Sequence, residues 1–284
     1  MKYSLFVVAL LFSGSLVAQN SDLPSDFLTK DFHRDRREKL RAKLPVNSVA
    51  VFFASPIRNR ANDVDYVYHQ DPDFFYLTGY KEPNAVLFIF KDSQTANNGT
   101  QYNEILFVQP RNEQQEMWTG RRLGEKGVKD VLGFSQAFNN TEFKRYDVNF
   151  SKFDKILFTD FFNDVRNDPS DSSDLFDLQA QFKAKINYPD KKGITLAVEP
   201  GKNNLDMAGL DPIMDDLRGI KAPEELNMVK KAVQISCMGQ LEVMKAIKPG
   251  MSEREIQGIH EFVFKKYQAE DLGYPSIVGA GHNG

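Results

Sequence analysis

Cysteine is nearly absent from this sequence. Cys237 stands alone among 284 residues, which excludes an intrachain disulfide framework and any zinc module built on paired cysteines. Histidine is scarce too. His33, His69, His260 and His282 are the whole set, so a metal site made chiefly of imidazoles has few residues to draw on. An excess of charge of either sign is missing, since 36 Lys and Arg face 39 Asp and Glu for a net −3. No basic field is available for a phosphate backbone, and nucleic acid is excluded as the main partner. Beyond the N-terminus no apolar run reaches the roughly 18 residues expected of a membrane-spanning helix. Low complexity is absent as well. With 41% hydrophobic and 26% charged residues the mixture is that of an ordinary globular protein, one large domain or two smaller ones.

What is present begins with a leader pattern. Lys2 precedes the apolar run at 5–12 (LFVVALLF), and small residues then lead to Ala18, the arrangement of a secretory signal. The run falls short of the roughly 20 residues a spanning helix needs. Residues 1–18 are therefore expected to be a cleaved signal peptide. The protein is expected to be exported, periplasmic or secreted, with no stable membrane anchor after signal removal.

Residues 26–44 read as a charged helix with Phe32, Leu40 and Leu44 as sparse apolar contacts, ended by Pro45. Short apolar runs follow at 49–54, 85–90, 105–108, 156–159 and 194–198, each the length of a strand buried on both faces. Helical or loop segments separate them, and this alternation predicts an α/β layer fold. The polar, Gly- and Asn-rich stretch 92–101 reads as a hairpin or surface loop. Near Arg218 the character changes. Pro223 suits a first helical position, Glu224 and Glu225 suit the positive end of a helix dipole, and Pro249-Gly250 stops the helix. Ser252-x-x-Glu255 is a capping box, with Met251 and Ile256 spaced for a hydrophobic staple. A second helix follows, with Ile256, Ile259, Val263 and Tyr267 on one face. A helix pair and one apolar segment do not close a core, so this last part is expected to be a truncated domain.

Several motifs carry little chemistry. His260-Glu261 lacks the second histidine of a zinc-peptidase helix, since position 264 is Phe264, and His260 is expected to be a surface histidine. The aspartates at 160–177 lack calcium-loop spacing and read as a solvated loop. The glycines at 120–124 (GRRLG) lack the Lys-Ser/Thr of a phosphate loop. Glycosylation triplets begin at Asn98, Asn139 and Asn149 and matter only in a eukaryotic secretory route. Cys237 falls in a helical pattern where a buried thiol is expected.

Three stretches are far more specific: 65–90 (DYVYHQDPDFFYLTGYKEPNAVLFIF), 117–133 (MWTGRRLGEKGVKDVLG) and 217–256, which holds IKAPEEL and KPGMSE. With 274–284 (YPSIVGAGHNG) they resemble, in order and spacing, aminopeptidase P, the Xaa-Pro aminopeptidase family. The resemblance implies a mixed sheet flanked by helices over 26–216, the family's N-terminal domain. Residues 217–284 would begin a pita-bread α+β metallopeptidase domain, a fold shared with prolidases and creatinases.

The implied activity is release of the residue that precedes proline at a peptide's N-terminus. The implied cofactor is two metal ions, usually manganese, held by two Asp, one His and two Glu. In the family all five ligands lie beyond the segment matching 274–284, so no catalytic or metal-binding residue is assigned in this chain. His282 lies a little before the place of the family's active-site histidine and is not that residue. The implied partners are peptides with proline at the second position and further copies of the chain, as a dimer or tetramer.

Trp118 is the candidate for a contact with a neighbouring subunit, although core packing is the first expectation for a lone tryptophan. Arg121 and Arg122 are candidates for holding a substrate carboxylate, with structural ion pairing the first expectation. Two other readings stand beside the aminopeptidase. One is a prolidase-type dipeptidase, and the other a non-catalytic binding or oligomerisation module.

Overall fold

The structure, a computed structural model, describes residues 28–96, 98–189 and 204–283. The expected signal peptide and the apolar run at 194–198 lie outside the described residues. Contacts divide the chain into two units, Leu28–Lys221 and a second containing Ala222–Gly284.

The first unit opens with α1 (Lys30–Lys43), whose N-cap Thr29 accepts a bond from the Phe32 N–H at 3.2 Å. Then come β1 (Ser48–Phe53), the short hairpin β2 (Asn59–Ala61) and β3 (Val64–Asp65), and α2 (Pro72–Thr78). The strands β4 (Val86–Thr95) and β5 (Gln101–Val108) follow, then the short helices α3 (Glu113–Thr119) and α4 (Gly124–Gly127). The rest is β6 (Ala137–Asn139), β7 (Lys155–Phe158), α5 (Leu175–Lys185), β8 (Leu205–Asp206) and α6 (Leu210–Gly219). Six strands form one sheet in the order β6-β5-β4-β1-β7-β8. β1 pairs antiparallel with β4 and parallel with β7, so the sheet is mixed, as the family resemblance implied. β4 and β5 form the expected hairpin around 92–101, and both strands run into that polar stretch.

Each sheet face is covered differently. One face bears an aromatic cluster in which Phe88 packs with ring centroids 5.7–5.8 Å from Phe107, Phe143 and Phe150. The alternate residues of β5 include Glu104, and α1 meets it through arginines. Arg37 donates to both Glu104 oxygens at 2.9 and 3.0 Å and to the Leu77 carbonyl at 2.8 Å, with its guanidinium 4.0 Å from the Phe134 ring centre. Arg41 adds a bond to Glu104 at 2.9 Å. The sequence-expected contacts Phe32, Leu40 and Leu44 are buried, but Arg36 and Arg37 of the same helix are buried with them.

α2 explains part of the string at 65–90. Asp71 caps it by accepting from the Asp73 and Phe74 N–H groups, and Pro72 supplies a first position with no N–H to satisfy. Gly79 ends it at φ +70, and a Cβ there would sit 2.7 Å from His33 Nε2. Conformation and close approach both demand glycine at that position.

The second unit contains α7 (Pro223–Ala246) and α8 (Glu253–Lys266), with the Ser252–Glu255 capping box formed. Ile235, Gly239 and Val263 are its buried helical residues. Two expectations are corrected here. Cys237 is exposed, because it points roughly 200° around α7 from Ile235, away from the buried stripe. His260 is half-buried rather than a free surface residue. Its ring lies 4.4 Å from that of Phe264 and packs where a Cβ on Gly239 would stand, 2.6 Å from Cδ2. Among the described residues no helix is long and apolar enough to cross a membrane.

Candidate functional site

The two specific strings of the first unit meet in space. β5 leads to Arg111, and Asn112 caps α3 by accepting from the Gln115 N–H at 3.1 Å. Arg111 grips Glu116 with two bonds of 2.6 Å, and the Asn112 N–H donates to the same carboxylate at 3.0 Å. α3 buries none of its residues. Its C-terminal turn holds Met117 and Trp118 out from the body, 77% and 90% exposed.

The core placement expected for Trp118 is thus overturned. Glu113, Gln114, Gln115 and Glu116 leave α3 without an apolar face that could turn inward. Contiguous exposed apolar surface of this kind marks contact sites.

After Trp118 the chain reverses at Gly120, φ +85, and is caught again. Glu82 Oε1 accepts from the Leu123 N–H at 2.7 Å. Glu82 Oε2 takes the Tyr80 hydroxyl at 2.9 Å. Gln70 fixes this stretch in turn by donating to the carbonyls of Tyr80 and Glu82 at 3.2 and 2.9 Å. Burial pushes the Glu82 carboxyl above its ordinary value, opposed by the Leu123 N–H, the Tyr80 hydroxyl and the Arg122 charge. Glu116 is held below its ordinary value by Arg111. Tyr80-x-Glu82 of the first string therefore serves as the socket for Gly120–Gly124 of the second.

Arg121 is exposed and makes no ion pair among the described residues, and Arg122 is half-buried with its charge acting on Glu82. The sequence did not single out Glu82, Glu116 or Arg111. Glu82 lies inside the first string and Glu116 directly before the second, but nothing local tells which groups either carboxylate will accept from. His282 is exposed in the second unit, on the turn Gly281–Asn283. The segment before it is tied to α8, where Glu253 accepts from the Ala280 N–H at 2.8 Å and Glu261 from the Ser276 hydroxyl at 3.2 Å.

Asp168, Asp171 and Asp174 of the aspartate-rich loop are bonded locally, whereas Asp164 pairs with Arg58 at 2.6 Å. Asp174 caps α5 and accepts from the Asp168 N–H at 2.7 Å, while Asp168 and Asp171 accept from Ser170 and Ser173. That loop walls a cleft of about 270 Å³ together with Ile57, Asn59 and Asp65. Among the described residues no group of three or more His, Cys, Asp or Glu is placed to hold a metal ion. The described residues therefore do not fit a two-metal peptidase centre.

Comparison with known proteins follows the same division. Residues 33–155 match the aminopeptidase P N-terminal domain, and residues 227–284 match metallopeptidase family M24. The Xaa-Pro aminopeptidase of Escherichia coli strain K12 is 27% identical over 260 residues, covering 92% of this chain and 54% of that protein. The structure of aminopeptidase P from E. coli with the inhibitor Pro-Leu superposes with a TM-score of 0.71 at 25% identity, over 90% of this chain and 54% of the other. Aminopeptidase PepP of Pseudomonas aeruginosa gives 0.73 at 27% identity, over 91% and 54%. The chain spans about half the length of the relatives it matches. On these grounds the chain carries an aminopeptidase P N-terminal domain followed by part of an M24 metallopeptidase domain, and it is similar to Xaa-Pro aminopeptidases over about nine-tenths of its length.

Proposed function

We propose that this protein acts in release of the N-terminal residue from peptides with proline at the second position, as a metalloaminopeptidase. The observation that supports the reading is the agreement of both domains with Xaa-Pro aminopeptidases across about nine-tenths of the chain. The chemistry gives such an enzyme a niche. A bond to proline has no N–H and restricts the residue before it, so a peptidase that grips extended backbone handles it poorly. Manganese is the proposed metal because carboxylate-rich ligation suits hard divalent ions. No described residue is assigned to hold it, and no catalytic step is placed on this chain's own side chains.

Assembly is the part to which the first unit speaks. We propose a homo-oligomer in which Trp118 meets a neighbouring copy, supported by its 90% exposure on a braced projection. Aromatic anchors of this kind carry a large share of interface energy. Trp118→Ala is expected to weaken assembly in sedimentation while leaving the melting temperature of the folded chain almost unchanged. A drop in melting temperature with intact assembly would place Trp118 in the fold instead. Export remains a proposal on the pattern of residues 1–18.

The activity itself is tested with the expressed gene product, including whatever its reading frame encodes beyond Gly284, supplied with Mn²⁺. Release of the first residue from Xaa-Pro-Yaa but not Xaa-Ala-Yaa is expected. Cleavage confined to the Xaa-Pro dipeptide would move the assignment to a prolidase-type enzyme. No cleavage of either would leave a binding or oligomerisation module.

A further inference from the structure

We propose that Glu82 is the positioning residue for the projection that carries Trp118, acting through the backbone of the segment that returns from it. The purpose of Trp118 rests on the reading above, whereas the brace rests on geometry alone. α3 buries no residue, so apolar packing does not hold the projection in place. Polar hooks must do so. One N–H group on the return segment is held by a carboxylate, that of Leu123 by Glu82. Glu116 belongs to α3 itself and ties the projection only to its own base. Glu82 comes from a different part of the chain, 41 residues earlier, and is anchored there by the Tyr80 hydroxyl and the Gln70 amide.

The bond is also of the strong kind. A short N–H to carboxylate contact in a partly buried place is worth more than a neutral one. Burial disfavours the charge of Glu82, and the Leu123 N–H and the Tyr80 hydroxyl offset that cost. A neutral or truncated side chain at this position would leave the Leu123 N–H without its anion, while the sheet and α2 keep all their own bonds.

The test uses the only tryptophan in the chain as its probe. In Glu82→Ala, amide exchange at Leu123 is expected to accelerate by about ten- to a hundredfold, the factor for losing a bond to a charged acceptor. The fluorescence anisotropy of Trp118 is expected to fall, with amides of β4 and α2 unchanged. Glu82→Gln, which keeps an acceptor oxygen, is expected to rescue both readouts in part. Unchanged anisotropy and unchanged Leu123 exchange in a folded Glu82→Ala protein would overturn the proposal. So would a uniform loss of protection across β4, α2 and the return segment, which would make Glu82 a general stabiliser.

Should Glu82→Ala fail to fold, Glu82→Gln decides alone. Leu123 exchange is then expected to rise about threefold or more with β4 unchanged, as for exchanging a charged acceptor for a neutral one. No rise would overturn the proposal. Changed anisotropy in the Glu82 variants, together with unaltered assembly in Trp118→Ala, would remove the reading of Trp118 and leave the brace standing.

Discussion

Arg37 has no exposed surface, yet it sits in a helix whose sequence reads as solvated charge. Its partner Glu104 is 67 residues away, so no local pattern could reveal the pair. Removing one member of a buried, fully bonded ion pair leaves the other charge stranded. Glu104→Ala is expected to cost about 3–5 kcal/mol in urea unfolding. Arg37→Met and Arg41→Leu combined with Glu104→Leu are expected to recover most of that loss, since apolar replacement of a whole buried ionic group is often neutral. His33 adds a pH dependence from the same helix. Burial lowers its pKa, and Nδ1–H donates to the Tyr76 carbonyl at 2.9 Å, so the folded state holds it neutral. The unfolded chain binds a proton more readily, near the ordinary value of about 6.5. The sign is therefore that of a depressed folded pKa. Its stability is fully present above about pH 6.5 and is lost as the pH falls below that towards the folded value. Glu82, raised by burial, has the opposite sign, binding its proton more readily when folded, and its window begins at the ordinary carboxylate value and runs upward. Melting temperatures at about pH 5 and pH 7 are expected to fall towards acid, and His33→Gln to flatten that difference while lowering both values.

Elements whose apolar runs are continuous were legible from sequence. β1, β4, β5 and β7 lie where the runs at 49–54, 85–90, 105–108 and 156–159 predicted strands, because strands buried on both faces need unbroken hydrophobicity. α7 and α8 follow from Pro223, the Pro249-Gly250 stop and the Ser252–Glu255 box. Other elements were not legible, β6, β2 and β3 among them. β6 is three residues long and exists by pairing with β5, a non-local event. β2 and β3 are exposed and short, without alternation to mark them. α2 did carry signals, Asp71-Pro72 before it and Gly79 after it, inside a string whose family resemblance drew attention away from its geometry. The candidate site was legible in its strings but not in its architecture: Trp118 was visible, whereas the carboxylates that hold its base were not. Gly79 tests the α2 account. Ala there must adopt the left-handed conformation and press against the buried His33 ring, flanked by Phe32 and Phe75 at centroid distances of 5.3 and 5.6 Å. Gly79→Ala is expected to cost at least about 1–2 kcal/mol, the left-handed penalty alone, measured by denaturant unfolding.

At the scale of the whole molecule the two units are stabilised unequally. The first has an aromatic core spread across a six-stranded sheet, with β1 buried along nearly its whole length. The second buries Ile235 and Val263 as its hydrophobic side chains. Along α7 an apolar row remains open, with Leu226, Val229, Val233, Leu241, Met244 and Ile247 all exposed. Helices owe most of their stability to packing of such a row rather than to intrinsic propensity, and a helix pair with little buried area opens easily. Glu225 accepting from the Ala222 N–H marks the start of α7, and the Ser252–Glu255 box at the start of α8 contributes only about 1 kcal/mol. In native-state amide exchange on the chain of residues 1–284, α7 and α8 are therefore expected to exchange through local opening, well before β1. The two rates are expected to respond differently to low urea, with β1 following global unfolding and α7 nearly insensitive. Added apolar dye is expected to bind, because an exposed apolar row of this length offers it a surface. Protection of α7 equal to that of β1, with the same urea response, would show that the second unit unfolds only together with the first.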